Sequence, residues 1–138
     1  AHGGGCIVNV GSGAGWGKPG MAAYAASKGG IVALSASLAL DHFYDRVRVN
    51  TVIPGGGGIV AGMSLGRVGG DMARLGPGAV GTVAGRVANG TDLGNAIAWL
   101  MSAEAEAVSG TVIDVGCFAH QGSSTPLKHP QSQERING

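Results

Sequence analysis

The stretch that decides the fold is NVGSGAGWGKPGMAAYAASKGG, residues 9–30. It joins a short apolar, β-branched run, CIVNV (6–10), to a segment whose apolar positions recur at helical spacing from Met21 to about Phe43. The run is typical of a buried parallel strand, and the segment is typical of one long helix. Between them, residues 11–20 contain five glycines. Such a loop either binds a phosphate or lets the backbone turn sharply and approach its neighbours closely.

The remainder of the chain adds two strands and a helix. We predict a second strand in RVRVNTVI (46–53), a helix in TDLGNAIAWLMS (91–102) with Thr91 or Asp92 as its N-cap, and a third strand in TVIDVG (111–116). A long glycine-rich loop precedes the second helix and contains a predicted short helix near residues 71–75. The order β-α-β-loop-α-β predicts an α/β layer fold with a parallel sheet.

Composition limits the class of protein. A chain of 138 residues suits one domain, and a net charge of +1 gives no general attraction to nucleic acid or to an anionic membrane. No apolar run is expected to reach transmembrane length. Cys6 and Cys117 form no CxxC pair and are predicted to be free thiols in a reducing, cytoplasmic compartment. The four histidines lack metal-ligand spacing, so no metal site is predicted.

The glycine loop does not match a phosphate-binding motif well. A P-loop needs glycine where Ser12 stands and a serine or threonine where Pro19 follows the lysine. Gly15, Gly17 and Gly20 match a dinucleotide fingerprint, but this is a weak signal in so glycine-rich a chain. The next strand also lacks an acidic residue at its end to bind a ribose hydroxyl.

A third interpretation rests on side chains beside the loop. Tyr24 and Lys28 are four residues apart on the predicted helix and therefore share a face. Ser12 lies on the loop that leads to that face. A tyrosine, a lysine and a serine that meet at the carboxyl end of a parallel sheet could form a proton-transfer site, because crevices form there.

The ordered set of NVGSGAG, YAASKGG, RVRVNTVIPGG and SGTVIDVG resembles the short-chain dehydrogenase/reductase family, in its single-domain branch. The resemblance covers roughly residues 5–116. It implies a partial Rossmann-like, doubly wound parallel sheet made of that fold's last three strands and their helices. Residues 1–120 would be the C-terminal catalytic part of the domain, and residues 121–138 a polar, flexible tail. The nucleotide-binding half, which precedes the serine strand in this family, is not in the sequence.

The resemblance also implies an activity. It is hydride transfer between NAD or NADP and a small alcohol or carbonyl substrate, with Tyr24 as general acid and base. Ser12 would orient the substrate oxygen. An ammonium about 4 Å from a phenolate stabilises it by roughly 4 kcal/mol at an effective dielectric near 20, so Lys28 could favour the ionised tyrosine.

The resemblance assigns the cofactor to residues at two strand ends. Tyr24 and Lys28 would bind it from the helix, and Pro54, Gly55 and Gly57 from the end of the second strand. Two departures from the family pattern bear on this assignment. An isoleucine stands at position 59, where the family usually has a threonine, and IDVG replaces the usual Val-Asp-Gly-Gly.

An alternative is a non-catalytic remnant or assembly module of the same fold. Without further strands beside it, the run at 6–10 would expose an apolar sheet edge, which favours association. We therefore expect a homo-oligomer. Because the nucleotide-binding half is not in the sequence, we also expect the chain to bind the nicotinamide cofactor weakly.

Overall fold

The computed structural model describes residues 3–55, 66, 68–71, 73 and 82–118, and within them it contains one three-stranded parallel sheet. The elements in chain order are strand β1 (Gly5–Val10), helix α1 (Ala22–Asp41), strand β2 (Val47–Pro54), helix α2 (Gly90–Met101) and strand β3 (Val112–Val115). Short 3-10 helices at Gly13–Trp16 and Ala103–Ala105 follow β1 and α2. The predicted parallel α/β fold is therefore confirmed, with each predicted strand found within two residues of its expected ends.

Strand β2 forms the centre of the sheet. It pairs with β1 from Gly5↔Val47 to Val10↔Val52 and with β3 from Thr51↔Val112 to Pro54↔Val115. Its side chains include the fully buried Val49, Val52 and Ile53. Because all three strands run the same way, Val10, Pro54 and Val115 end at one edge of the sheet. This carboxyl edge is where an α/β fold forms its crevice.

The two helices cover opposite faces of the sheet. Asn9 reaches Ser35 of α1, whereas the Cys6 thiol donates to the Leu100 carbonyl of α2. Side chains three residues apart on a strand point to opposite faces. The sheet is therefore doubly wound in the part of the chain that the structure describes, as predicted.

Helix α2 begins with Asn89 as its N-cap, so the prediction of Thr91 or Asp92 was wrong. The Asn89 side chain accepts hydrogen bonds from the backbone amides of Thr91 and Asp92, and the Asp92 carboxylate accepts one from the Asn89 amide. This reciprocal capping box satisfies amides that the first turn leaves unpaired. Asp92 also receives two hydrogen bonds from the Arg86 guanidinium, at 2.6 and 2.8 Å. The guanidinium, together with the Asn89 amide, lowers the pKa of Asp92 to about 2.

Helix α1 corrects the expectation about transmembrane length. Its 20 residues, with a mean hydropathy of 1.2, would be long and apolar enough to cross a bilayer by length and composition alone. In the structure the helix lies against the parallel sheet, where it buries Ser35 and Ala39. That is the position of a layer helix in an α/β fold.

Several sequence predictions fall outside the described residues. They are the cofactor-binding candidate Gly57, the isoleucine at position 59, most of the short helix near residues 71–75, and the tail at residues 121–138.

Candidate active site

Ser12 lies just beyond the carboxyl end of β1 and begins the 3-10 helix Gly13–Trp16. Its backbone is extended (φ −160°), and its Oγ accepts a hydrogen bond from the Ala14 amide at 3.2 Å. The side chain is half-buried. Because a hydroxyl both accepts and donates, this cap leaves the Ser12 proton available to a ligand oxygen.

Lys28 is a residue of helix α1, and its side chain reaches the same end of β1. Its Nζ donates a hydrogen bond to the Val10 carbonyl at 3.0 Å. The amides of Gly5 and Gly11 donate to the carbonyls of Arg46 and Val52, both on the β2 side of β1. Backbone groups alternate along a strand, so the Val10 carbonyl points away from β2 toward the open side of β1. Among the residues that the structure describes, no strand uses this acceptor, and it holds the Lys28 ammonium at the carboxyl edge.

Tyr24 lies one turn before Lys28 on α1 and is also half-buried. The Lys28 Nζ is 5.9 Å from the centroid of the Tyr24 ring, within the range of a cation–π contact. The predicted tyrosine–lysine pair is thus on one side of the helix, at the strand end that leads into Ser12. The structure brings all three predicted catalytic residues to the same edge of the sheet; their catalytic roles stay a prediction.

Glycines in the loop let it pack directly on its neighbours. A Cβ on Gly11 would lie 2.6 Å from the Ile53 side chain, and a Cβ on Gly15 would lie 2.9 Å from the backbone nitrogen of Gly29 in α1. Real Cβ atoms do not approach this closely. Gly17 has φ +107°, in the range that favours glycine. Gly15, whose close contacts are backbone atoms of α1, and Gly17, with its positive φ, favour glycine whether or not a phosphate is bound.

The ends of β2 and β3 form a second close contact. Gly55 donates to the Val115 carbonyl at 2.8 Å, and a Cβ on Gly116 would lie 2.1 Å from the Gly55 Cα. Cys117 follows with φ +56°. Directly after the IDVG segment (113–116), a residue with a side chain therefore adopts a backbone conformation that glycine adopts more easily. Gly55 and the neighbouring Pro54 lie at the predicted edge, and their role toward a cofactor stays a prediction.

Buried polar residues that support the sheet away from this edge were not singled out from the sequence. Asn50 is fully buried; its Nδ2 donates to the Val108 carbonyl at 2.8 Å, and its Oδ1 accepts from the Thr111 amide at 3.1 Å. Arg48 donates to carbonyls of the same segment, at Ser102 and Val108. These contacts attach the chain between α2 and β3 to the central strand. An asparagine within an apolar strand was the available sequence signal.

Acidic, histidine and cysteine side chains do not form a metal-binding group in the part of the chain that the structure describes: no three of them lie close enough together.

Comparison with protein families gives a match over most of the chain. The family model described as enoyl-(acyl carrier protein) reductase matches residues 1–117. The chain is 38% identical over 132 residues to a protein of Xanthobacter autotrophicus named inactive 2-(S)-hydroxypropyl-CoM dehydrogenase 2, covering 89% of this chain and 52% of that protein. It is 39% identical over 123 residues to cyclopentanol dehydrogenase of a Comamonas species, covering 84% of this chain and 46% of that protein.

Solved structures show the same fold. A short-chain dehydrogenase from Mycobacterium paratuberculosis bound to NAD is 28% identical, with a TM-score of 0.67, and the match covers 86% of this chain and 46% of that one. A short-chain dehydrogenase/reductase family protein gives a TM-score of 0.65 at 29% identity, covering 83% and 46% of the two chains. The chain thus spans about half the length of the relatives that it matches.

Proposed function

The chain belongs to the short-chain dehydrogenase/reductase family, and we propose that it carries the proton-transfer site of an NAD- or NADP-dependent oxidoreductase that interconverts an alcohol and a carbonyl. The observation that carries this proposal is the position of Lys28. Its ammonium lies 5.9 Å from the Tyr24 ring centroid and is held by the Val10 carbonyl at the strand end that leads into Ser12.

The chemistry of the edge fits a nicotinamide ribose and a substrate oxygen. An ammonium has three N–H donors, and Val10 accepts one of them, which leaves two for ribose hydroxyls. The Ser12 hydroxyl retains a proton to donate. Gly55 and Gly116 present no side chain at the neighbouring strand ends. We propose that Tyr24, Lys28, Pro54, Gly55 and Gly57 hold the cofactor.

In the reduction direction, Tyr24 donates its phenolic proton to the carbonyl oxygen. A bound reduced nicotinamide would supply the hydride to the carbonyl carbon, so that a C–H bond and an O–H bond would replace the C=O π bond. In the oxidation direction, the phenolate of Tyr24 accepts the alcohol proton. Ser12 donates a hydrogen bond to the substrate oxygen and holds it toward the tyrosine.

Lys28 contributes a positive charge on the Tyr24 side of α1, with its Nζ 5.9 Å from the ring centroid. The same ammonium would donate hydrogen bonds to the cofactor ribose.

The proposed substrate is a small alcohol or carbonyl compound. One relative is named for cyclopentanol and one solved neighbour is named as bound to NAD, which supports this class of substrate and cofactor. Homo-oligomerisation and a cytoplasmic location are part of the same proposal.

The test is turnover by the purified protein, with ketones and alcohols supplied in turn with NAD(H) and NADP(H) at millimolar concentration. We expect slow turnover and cofactor affinity weaker than micromolar. Tyr24→Phe removes the transferable proton and should reduce the rate by roughly 10²- to 10⁴-fold. Tyr44→Phe is the matched control, because Tyr44 is 94% exposed beyond the end of α1. Equal rates in Tyr24→Phe and the unmodified protein would eliminate catalysis by Tyr24.

A second candidate is a non-catalytic assembly module. One observation favours it: the relative named as inactive is 38% identical over 132 residues. In the described residues, β1 pairs only with β2, and Ile7 and Val10 are about 40% exposed. Absence of turnover at millimolar cofactor, combined with concentration-dependent association, would support this candidate over the enzyme.

A further inference from the structure

We infer that Asn9 and Ser35 are positioning residues, whose hydrogen bond sets the placement of α1 along β1 and so holds Tyr24 and Lys28 opposite Ser12. The inference concerns the geometry of the site and rests on the proposed function for its catalytic consequence. It assigns a role to two residues that lie away from the reacting groups.

The link is a short chain of hydrogen bonds between strand and helix. Asn9 Nδ2 donates to Ser35 Oγ at 2.9 Å, and Ser35 Oγ donates to the Ile31 carbonyl at 2.7 Å. Ser35 is only 2% exposed. Its hydroxyl therefore uses both its proton and a lone pair inside the protein, and water cannot readily replace either partner.

The linked residues lie on the two elements that make up the site. Ser35 follows Lys28 by seven residues and Tyr24 by eleven, so the three lie along one face of α1, with Ser35 about 10 Å from Lys28 along the axis. Asn9 precedes Ser12 by three residues and leads into its loop. Any sliding or rotation that lengthens the Asn9–Ser35 bond also moves Lys28 relative to the Val10 carbonyl.

The polar link adds a directional constraint that the apolar contacts between α1 and the sheet do not supply. The buried face of α1 is made of small side chains such as Ser35 and Ala39, and apolar contacts have no preferred direction. A hydrogen bond loses strength over a few tenths of an ångström. Misplacement of a catalytic group by about 1 Å can reduce the rate by roughly a hundredfold.

The experiment compares Ser35→Ala, Asn9→Leu and the double variant, with Ser37→Ala on the exposed side of the same helix as the control. Three quantities are measured: the melting temperature, the acetylation rate of Lys28 relative to the exposed Lys18 by mass spectrometry, and kcat and KM separately. Acetylation reports whether the Lys28–Val10 hydrogen bond persists, and it needs neither cofactor nor substrate.

We expect Ser35→Ala to lower the melting temperature, because it leaves the Asn9 amide without its partner. The double variant removes both polar groups and should recover most of that loss. Compared with the unmodified protein, the double variant should nevertheless show severalfold faster acetylation of Lys28. Its kcat should be roughly 10- to 100-fold lower, with a smaller change in KM. Ser37→Ala should match the unmodified protein in all three measurements.

If the double variant recovers stability, Lys28 protection and kcat together, the two residues serve only stability and the inference is overturned. If the unmodified protein shows no nicotinamide-dependent turnover, the proposed function fails instead. In that case the acetylation rates of the single and double variants still decide whether the Asn9–Ser35 link places Lys28.

Discussion

Two adjacent glycines of α1 provide a matched pair for testing how the catalytic loop is positioned. Gly29 lies directly under the loop: a Cβ built there would be 2.9 Å from the Gly15 carbonyl oxygen. A Cβ built on the next residue, Gly30, would have nothing within 4 Å. Both lie inside the helix Ala22–Asp41, so alanine adds the same group to the same kind of backbone at each position.

The expected magnitudes follow from these distances. Replacing glycine by alanine inside a helix stabilises it by up to about 1 kcal/mol, and this gain is common to both variants. In Gly29→Ala, the loop and helix must separate by roughly 0.5 Å to reach ordinary contact distance, and overpacking of this kind costs about 1–3 kcal/mol. Gly30→Ala should therefore be neutral or stabilising, and Gly29→Ala should be less stable than Gly30→Ala by about 1–3 kcal/mol.

The assay is urea unfolding followed by circular dichroism, which gives the free energy of unfolding of each variant. The difference between the two variants isolates the contact with Gly15, because the helix propensity change cancels. If Gly29→Ala proves as stable as Gly30→Ala, the loop does not rest on the helix backbone, and the packing of the Ser12 loop against α1 is wrong.

Three further predictions concern single residues. Lys28→Met should leave the fold intact and lower kcat/KM by roughly 10- to 100-fold, because it removes the charged donor proposed to bind the cofactor ribose; an unchanged kcat/KM in steady-state kinetics would contradict this. Arg86→Ala should lower stability at neutral pH. The pKa of Asp92 is lowered to about 2 in the folded state, so the stabilisation is present above about pH 4 and disappears as the pH falls through about 2. The difference between Arg86→Ala and the unmodified protein in urea midpoint should vanish over the same range, and a pH-independent difference would argue against the ion pair. Cys117→Gly should raise the free energy of unfolding by about 1 kcal/mol, because Cys117 has φ +56°, and a loss of stability would contradict the strained conformation.

Much of the fold could be predicted from the sequence because its elements follow local patterns. The β-branched runs at β1, β2 and β3 and the helical spacing after Met21 identify the strands and the first helix. Their order then predicts the parallel sheet. The N-cap of α2 was predicted wrongly because the glycine at position 90 hides the start of the helix, so polar residues inside the first turn looked like caps.

The candidate site was predictable where its residues are close in sequence. Tyr24 and Lys28 share a helix face by spacing alone, and a glycine loop after a strand suggests the position of Ser12. The Asn9–Ser35 hydrogen bond joins residues 26 positions apart, and no local pattern indicates which serine of α1 meets the strand. The second role of Ser12, as the cap of a 3-10 helix, depends on backbone angles that the sequence does not reveal.

The central claim is that a tyrosine and a lysine at the carboxyl edge carry out nicotinamide-dependent carbonyl reduction. Isotope transfer tests this claim most directly. Cofactor labelled with deuterium at its transferable position is incubated with the protein and a ketone substrate, and the alcohol product is analysed by mass spectrometry. The account predicts one deuterium on the carbinol carbon with the unmodified protein and almost none with Tyr24→Phe. Equal labelling by both proteins, or no labelled alcohol from either, would contradict it.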